Sequence, residues 1–276
     1  MLRTLEIKNS TLLDTSLEPK LARSGCQELF THVYHISYTP ETKEVSLFFW
    51  GCNFACKGCL SKKEVGNYLL KENLHRFGEE PGTNADSPNR FLSVSDVLTI
   101  LERLEIKTVL FEGQEASLDP SMPILAKTLH EKFGTYNILC TNAYRLPSLD
   151  EIDGIQMSIK SITDSIHVDY TGKSNTRVLN NFINLCHSDI RLSVATVLIP
   201  DYIDVNEIER VAKFIACVKP DVPYNILPYF KAGDNPWNRP TPETMAEAES
   251  IAKKHLNRVH AWRGDEELKY EVVRVY

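Results

Sequence analysis

Between residues 45 and 230 the chain alternates two kinds of apolar pattern. Short, nearly continuous apolar runs occur at VSLFFW (45–50), TVLFE (108–112), YNILC (136–140), GIQMSI (154–159), LSVATVLI (192–199) and YNILPYF (224–230). Runs of this length, rich in β-branched and aromatic residues, predict buried strands of a parallel sheet covered by helices. Between them SVSDVLTILERLE, SMPILAKTLHEKF, RVLNNFINLCHS, VNEIERVAKFIACV and PETMAEAESIAKKHL repeat apolar residues three and four apart, which predicts amphipathic helices. Six strand-helix units in about 210 residues predict an α/β fold, a partial TIM-like (β/α)6 barrel rather than the full eight units. The chain then divides into an N-terminal extension packed on the barrel (1–44), the barrel (45–256) and a C-terminal segment (257–276). Within the extension, HVYHISY admits a strand. The barrel carries an inserted loop at about 67–91, where Gly, Pro, Asn and acidic residues gather. No internal repeat interrupts this plan.

With 276 residues, 42% hydrophobic and 25% charged, the chain can bury a full core. A formal net charge of −6 provides no broad basic surface to neutralise a nucleic-acid backbone, so no nucleic-acid partner is expected. The start, MLRTLEIKNSTLLDTSLEPK, has no uninterrupted apolar core of a signal segment. No stretch approaches the roughly 18 apolar residues of a membrane span, and a cytoplasmic protein is expected. Seven cysteines, three of them clustered, favour metal or redox chemistry over a secreted disulfide scaffold.

The clustered three are Cys52, Cys56 and Cys59 in FFWGCNFACKGCL, directly after the first barrel strand. This is the carboxyl end, where ligands collect in parallel α/β folds. Three thiolates on one loop hold three corners of a metal centre. A structural zinc site takes four protein ligands, often as two C-x-x-C pairs, whereas Cys26, Cys140, Cys186 and Cys217 stand alone. A four-iron cluster on three cysteines leaves one iron open to another ligand. From the residues alone, zinc with a remote ligand, in a non-enzymatic binding protein, stays as the alternative. TGKS (171–174) is not a phosphate-binding loop, because His167 stands where its first glycine belongs. Cys186 and Cys217 lie among apolar helix positions and read as core thiols.

The spacing C-x-x-x-C-x-x-C after a first strand resembles the signature of the radical S-adenosylmethionine (radical SAM) enzymes. The resemblance implies a 4Fe-4S cluster on Cys52, Cys56 and Cys59 whose open iron chelates the methionine part of S-adenosylmethionine. It also implies reductive cleavage to a 5′-deoxyadenosyl radical that abstracts hydrogen. FEGQEASLDP (111–120) resembles the family's G-G-E-P motif, which binds the SAM amino group. Gly113 and Glu115 match, Gln114 replaces the second glycine, and Ala116 the proline. Later stretches are most similar to the activating enzymes of glycyl-radical enzymes, such as pyruvate formate-lyase activase. CTNAYRL (140–146) resembles D-T-N-G through Thr141 and Asn142, and QMSIK (156–160) resembles L-D-L-K through Lys160. YTGKSNTRVL (170–179) is similar to G-x-S-N-x-R through Gly172, Ser174, Asn175 and Arg177. VLIPDYID and NILPYFKAGDNPW resemble V-V-P-G and L-L-P-Y-H-x-x-G.

By this resemblance Lys160 contacts the SAM carboxylate, and Thr141 and Asn142 line the same pocket. Phe230 replaces a family histidine near the adenosine, and Gly58 replaces an aromatic that packs near the adenine. Cys140 and Ser158 stand where the family has two aspartates that help hold a monovalent cation, which argues against that cation site in its usual form. The family's D-G-P-G-x-R motif is missing from SYTPETKEV. The implied SAM pocket is therefore Gly58, Gly113, Gln114, Glu115, Thr141, Asn142, Ser158, Lys160 and Phe230. The implied substrate is a glycyl-radical enzyme, with a small molecule or another peptide as the alternative. The implied electron donor is a low-potential carrier such as flavodoxin or ferredoxin.

Overall fold

The computed structural model describes residues 28–63, 67–70, 72–73 and 84–276. The first 27 residues of the predicted extension, Cys26 among them, and 64–66, 71 and 74–83 around the inserted loop lie outside the described residues. HVYHISY forms β1 (Val33–Thr39), which turns back antiparallel onto β2 (Glu44–Phe49). The other predicted strands follow as β3 (Thr108–Gly113), β4 (Tyr136–Thr141), β5 (Gly154–Ser158), β6 (Arg191–Leu198) and β7 (Tyr224–Pro228). Two further short strands, β8 (Val259–Ala261) and β9 (Val273–Arg274), complete an open nine-stranded sheet ordered β8-β7-β6-β5-β4-β3-β2-β1-β9. Every pairing from β2 to β8 is parallel, so the carboxyl ends of these strands share one rim.

The connecting helices are α1 (Val94–Leu101), α2 (Met122–Phe133), α3 (Asp164–Thr171), α4 (Thr176–Cys186), α5 (Val205–Val218) and α6 (Pro242–Ala252). Five of them occupy the predicted amphipathic stretches. α3 does not follow from apolar spacing, because the residues it buries are His167, Tyr170 and Thr171. Strand alternation separates two faces. Val45, Leu47, Phe49, Val109, Phe111 and Met157 are fully buried in one core with Val97, Leu101, Leu125 and Leu129 of the helices. The alternate positions Glu44, Ser46, Glu112, Cys140, Gln156 and Ser158 give the opposite face a polar lining that the apolar runs do not announce. Burial, with Glu44 beside it, pushes the Glu112 carboxyl up to about 7. No helix among the described residues is long and apolar enough to cross a membrane.

One ionic clasp ties a helix to the sheet. His130 of α2 sits between Glu151 (Nδ1, 2.8 Å) and Asp153 (Nε2, 2.9 Å), and Asp153 also accepts the Asn137 N–H of β4 at 2.7 Å. The hydrogen bond to Glu151, aided by Asp153, raises the His130 pKa above its ordinary value. A histidine pKa raised by folding stabilises the native state fully below the unfolded value near 6.5, and that contribution is lost as pH rises through the folded value. The urea midpoint is therefore expected to fall more between pH 6 and pH 8 in the wild type than in His130→Gln. Parallel curves would show that the clasp carries no proton linkage.

Candidate functional site

The cysteine loop springs from the carboxyl end of β2 and is pinned from several directions. Phe54, between the first two cysteines, is 3% exposed and meets Tyr144 and His167 edge-on, both at 5.5 Å. Burying a large aromatic side chain from within the loop fixes the peptide that carries the thiols. The loop backbone also docks on the end of α3, through Ala55 N–H to Thr171 O (2.8 Å) and Lys57 N–H to Tyr170 O (3.1 Å). Lys62 Nζ closes the loop internally onto Phe54 O.

The stretch after β3 meets this loop. Gly113, at φ 99°, lies so close to β2 that a Cβ there would be 2.7 Å from Phe49 N, so only glycine fits. Gln114 reaches Gly51 and Ser61 at the two ends of the cysteine loop. Glu115 is 2% exposed, and its carboxylate accepts Thr141 Oγ1 (2.6 Å) and Asn142 N–H (2.8 Å). Its oxygens are thus engaged by β4 and the turn after it. Burial raises the Glu115 pKa, and the same hydrogen bonds work against that rise. Asn142 in turn directs Nδ2 to Asn53 Oδ1 (2.7 Å) and to Cys52 Sγ (3.7 Å). Glu115, Thr141 and Asn142 therefore form one chain of contacts ending at the first cysteine.

Lys160 follows β5, two residues past its last position, Ser158. Its positive charge acts on the Cys56 thiol, opposing the burial that pushes that thiol up to about 12. The segment behind Lys160 is held by Glu207 of α5, which is 0% exposed. Glu207 accepts Ser161 Oγ (2.6 Å), Ile162 N–H (2.8 Å), Thr163 N–H (2.9 Å) and Thr163 Oγ1 (2.8 Å). Asn175 braces the same turn through Nδ2 to Ile162 O at 2.6 Å. Neither clamp contacts a cysteine; both set the place from which Lys160 extends.

A family model described as the radical SAM superfamily matches residues 47–215, which runs from β2 into α5 and covers more than half of the 276 residues. The chain belongs to the radical SAM superfamily. A relative from Methanocaldococcus jannaschii, provisionally named a glycyl-radical enzyme activating enzyme, is 29% identical over 248 residues, covering 87% of this chain and 88% of its own. Among solved structures, a radical SAM methyltransferase from Sphaerobacter thermophilus superposes with a TM-score of 0.57 at 15% identity, over 82% of this chain and 68% of that one. QueE from Escherichia coli superposes with a TM-score of 0.51 at 12% identity, over 85% and 94%. At these identities the two structures speak for the shared fold alone.

Radical SAM chemistry asks for an iron-sulfur cluster, and the donors here suit one. The three thiols lie within one another's electrostatic reach, Cys59 acting on both Cys52 and Cys56. Cys52 Sγ accepts the Phe54 N–H at 3.4 Å, an arrangement that favours thiolate over thiol. Burial raises the Cys52 pKa as well, and coordination to a metal would favour its thiolate form. Among the described residues no three His, Cys, Asp or Glu side chains converge as ligands of a single ion. A cluster places its three thiolates on separate irons and needs no such convergence.

The remaining residues of the expected pocket fall differently. A Cβ on Gly58 would meet Tyr229 Cε2 at 2.8 Å and Trp237 Cζ3 at 3.3 Å, so the aromatic bulk beside the third cysteine comes from the end of β7 and the loop after it. Tyr229, 1% exposed, is absent from the pocket that the sequence implies; its neighbour Phe230 belongs to it, and Phe230 carries the Arg239 guanidinium 4.5 Å above its ring. Trp237 stacks on Tyr202 at 4.5 Å and meets Tyr229 edge-on at 6.0 Å, walling the loop on this side. Ser158 ends β5 in register with Ala195, and Cys140 directs its thiol toward Gln156 Oε1 at 3.9 Å.

Proposed function

We propose that this chain is a radical SAM enzyme of the activase kind, which binds a 4Fe-4S cluster on Cys52, Cys56 and Cys59 and removes a Cα hydrogen from a glycine of a glycyl-radical enzyme. The observation that carries the reading is that Asn142, just after β4, contacts Cys52 of the cysteine loop, while the charge of Lys160, just after β5, acts on Cys56. When bound, the reduced cluster supplies the electron that splits S-adenosylmethionine and yields the 5′-deoxyadenosyl radical. The residues around it bind, orient and exclude water. Lys160 pairs with the SAM carboxylate as a fixed cation. Gly113 lets the end of β3 lie against the β2 backbone at the rim, while Glu115 keeps Thr141 and Asn142 in place. Tyr229 and Trp237 keep water from the third cysteine. A low-potential carrier such as flavodoxin or ferredoxin supplies the electron. The activase reading is supported by the named relative and by the order of motifs from Thr141 to Phe230.

The test is anaerobic reconstitution with iron and sulfide, dithionite reduction, and chromatographic assay for 5′-deoxyadenosine from SAM. Electron paramagnetic resonance then looks for a glycyl radical on candidate glycyl-radical enzymes. Cleavage coupled to a glycyl signal is expected. Cleavage that responds instead to a small molecule or a peptide would overturn the activase part, and a loaded protein that neither binds nor cleaves SAM would overturn the whole reading. Lys160→Met is expected to weaken SAM binding roughly 10- to 100-fold, as for loss of a charge-assisted hydrogen bond, with iron content unchanged. Equilibrium titration of the loaded protein measures it, and an unchanged Kd would remove Lys160 from the pocket.

A further inference from the structure

The cysteine loop leaves the sheet at Gly51 and is still unattached to any strand at Ser61, with all three cysteines between these points. One side chain touches both. Gln114 Oε1 accepts the Gly51 N–H at 3.0 Å, and Gln114 Nε2 donates to Ser61 O at 3.3 Å. The mount of this side chain is itself rigid. Gln114 N–H is bonded to Phe49 O at 2.9 Å, and Gly113 just before it is pressed against the β2 backbone. The other restraints on the loop among the described residues act inside it: the burial of Phe54, Asn142 on Asn53 and Cys52, the Ala55 and Lys57 bonds to α3, the Lys57 ion pair with Asp169, and the internal bond from Lys62 to Phe54. None of them joins the two ends. A glycine at position 114, as in the G-G-E-P motif, has no side chain and makes neither bond.

We infer that Gln114 is a positioning residue that clasps the two ends of the cysteine loop, holding the three thiols together and slowing the loss of the iron-sulfur cluster. The inference rests on the cluster reading given under Proposed function. Closing a flexible loop costs conformational entropy, and a loop closed by the protein presents its ligands without that cost at each binding event. When one iron-sulfur bond opens, a clasped loop keeps the freed sulfur close at high effective concentration, and rebinding outruns escape. Because the clasp uses an amide, it holds without placing a charge beside the thiolates. A carboxylate there would keep the acceptor for Gly51 and lose the donor to Ser61.

The experiment compares the full-length wild type, Gln114→Ala and Gln114→Glu, each reconstituted anaerobically. Cluster absorbance is followed after addition of excess iron chelator, and the thermal midpoint of each cluster-free protein is measured alongside. Gln114→Ala is expected to lose its cluster roughly tenfold faster, the size of effect that about one net hydrogen bond supports. Gln114→Glu is expected to fall between, with the three cluster-free midpoints alike. Equal loss rates would overturn the inference. So would rates that simply track the cluster-free midpoints, because the side chain would then be acting on the whole fold. If Gln114→Ala does not fold, the loss rate of Gln114→Glu against wild type decides. A wild type that takes up no iron and sulfide overturns the cluster reading itself and is recognised without any variant.

Discussion

Cys56→Ala, and equally Cys52→Ala or Cys59→Ala, is expected to leave a protein that folds, holds substoichiometric iron and forms no 5′-deoxyadenosine above background. The reason lies in the ligand count. Among the described residues, three thiols on one loop are the whole protein contribution within reach, since Cys140 faces Gln156 and Cys186 lies in the helix core. Taking one away leaves two sulfurs for an assembly that needs three from the protein and keeps its last iron for SAM. Folding is expected to survive because the loop is fastened by Phe54, Ala55 and Lys57 as well as by its cysteines. Cys217, which the apolar helix spacing places in the core, is instead exposed, so Cys217→Ala is the control and is expected to match the wild type in iron, sulfide and product. Full cleavage by a Cys56→Ala protein with intact iron content would refute the cluster assignment.

The second large effect concerns stability. Glu207→Ala is expected to cost roughly 3–5 kcal/mol in a denaturant titration, the range found when one partner of a buried charged network is removed. The substitution strands the N–H groups of Ile162 and Thr163 and Thr163 Oγ1, and leaves Ser161 Oγ with Thr163 O alone; all four donate to this carboxylate. Burial pushes the Glu207 pKa up, but the hydrogen bonds from Ser161 and Thr163 and the Arg210 guanidinium outweigh it, and the net shift is downward. A carboxyl whose folded pKa is depressed stabilises the native state above its unfolded value, and that contribution is lost as pH falls through the folded value. Glu207→Gln is accordingly expected to flatten the acid limb of the stability curve. A cost below 1 kcal/mol for the alanine would mean that the turn after Lys160 does not depend on this residue. Because that turn carries Lys160, a drop in SAM affinity at temperatures where the protein stays folded is expected to accompany the loss.

These two sites differ in how far the chain's own residues reveal them. Cysteine has few uses at four- and three-residue spacing, so the triplet by itself points to a metal centre. The six barrel strands are legible because an unbroken apolar run of five to eight residues, bounded by turn residues, seldom arises outside a buried strand. Glu207 is invisible for a physical reason: a glutamate in the first turn of an amphipathic helix looks like solvent face or helix-dipole partner, and its burial is decided by a turn 44 to 46 residues upstream. α3 escapes the periodicity because it packs a histidine, a tyrosine and a threonine inward, so no apolar stripe marks it. β8 and β9, of three and two residues, are too short for any periodicity. At the adenine side, resemblance directs attention to Phe230, whereas the residue beside Gly58 is its neighbour Tyr229, just past the end of β7.

A sheet that does not close exposes two margins, and an exposed margin invites another chain to add a strand and begin an aggregate. Here the outermost strands are the two shortest, β8 and β9. They offer an intruding segment two or three residues of ladder, too little to hold it in register. The sheet can therefore stay open at both margins and still resist self-association through its own edges.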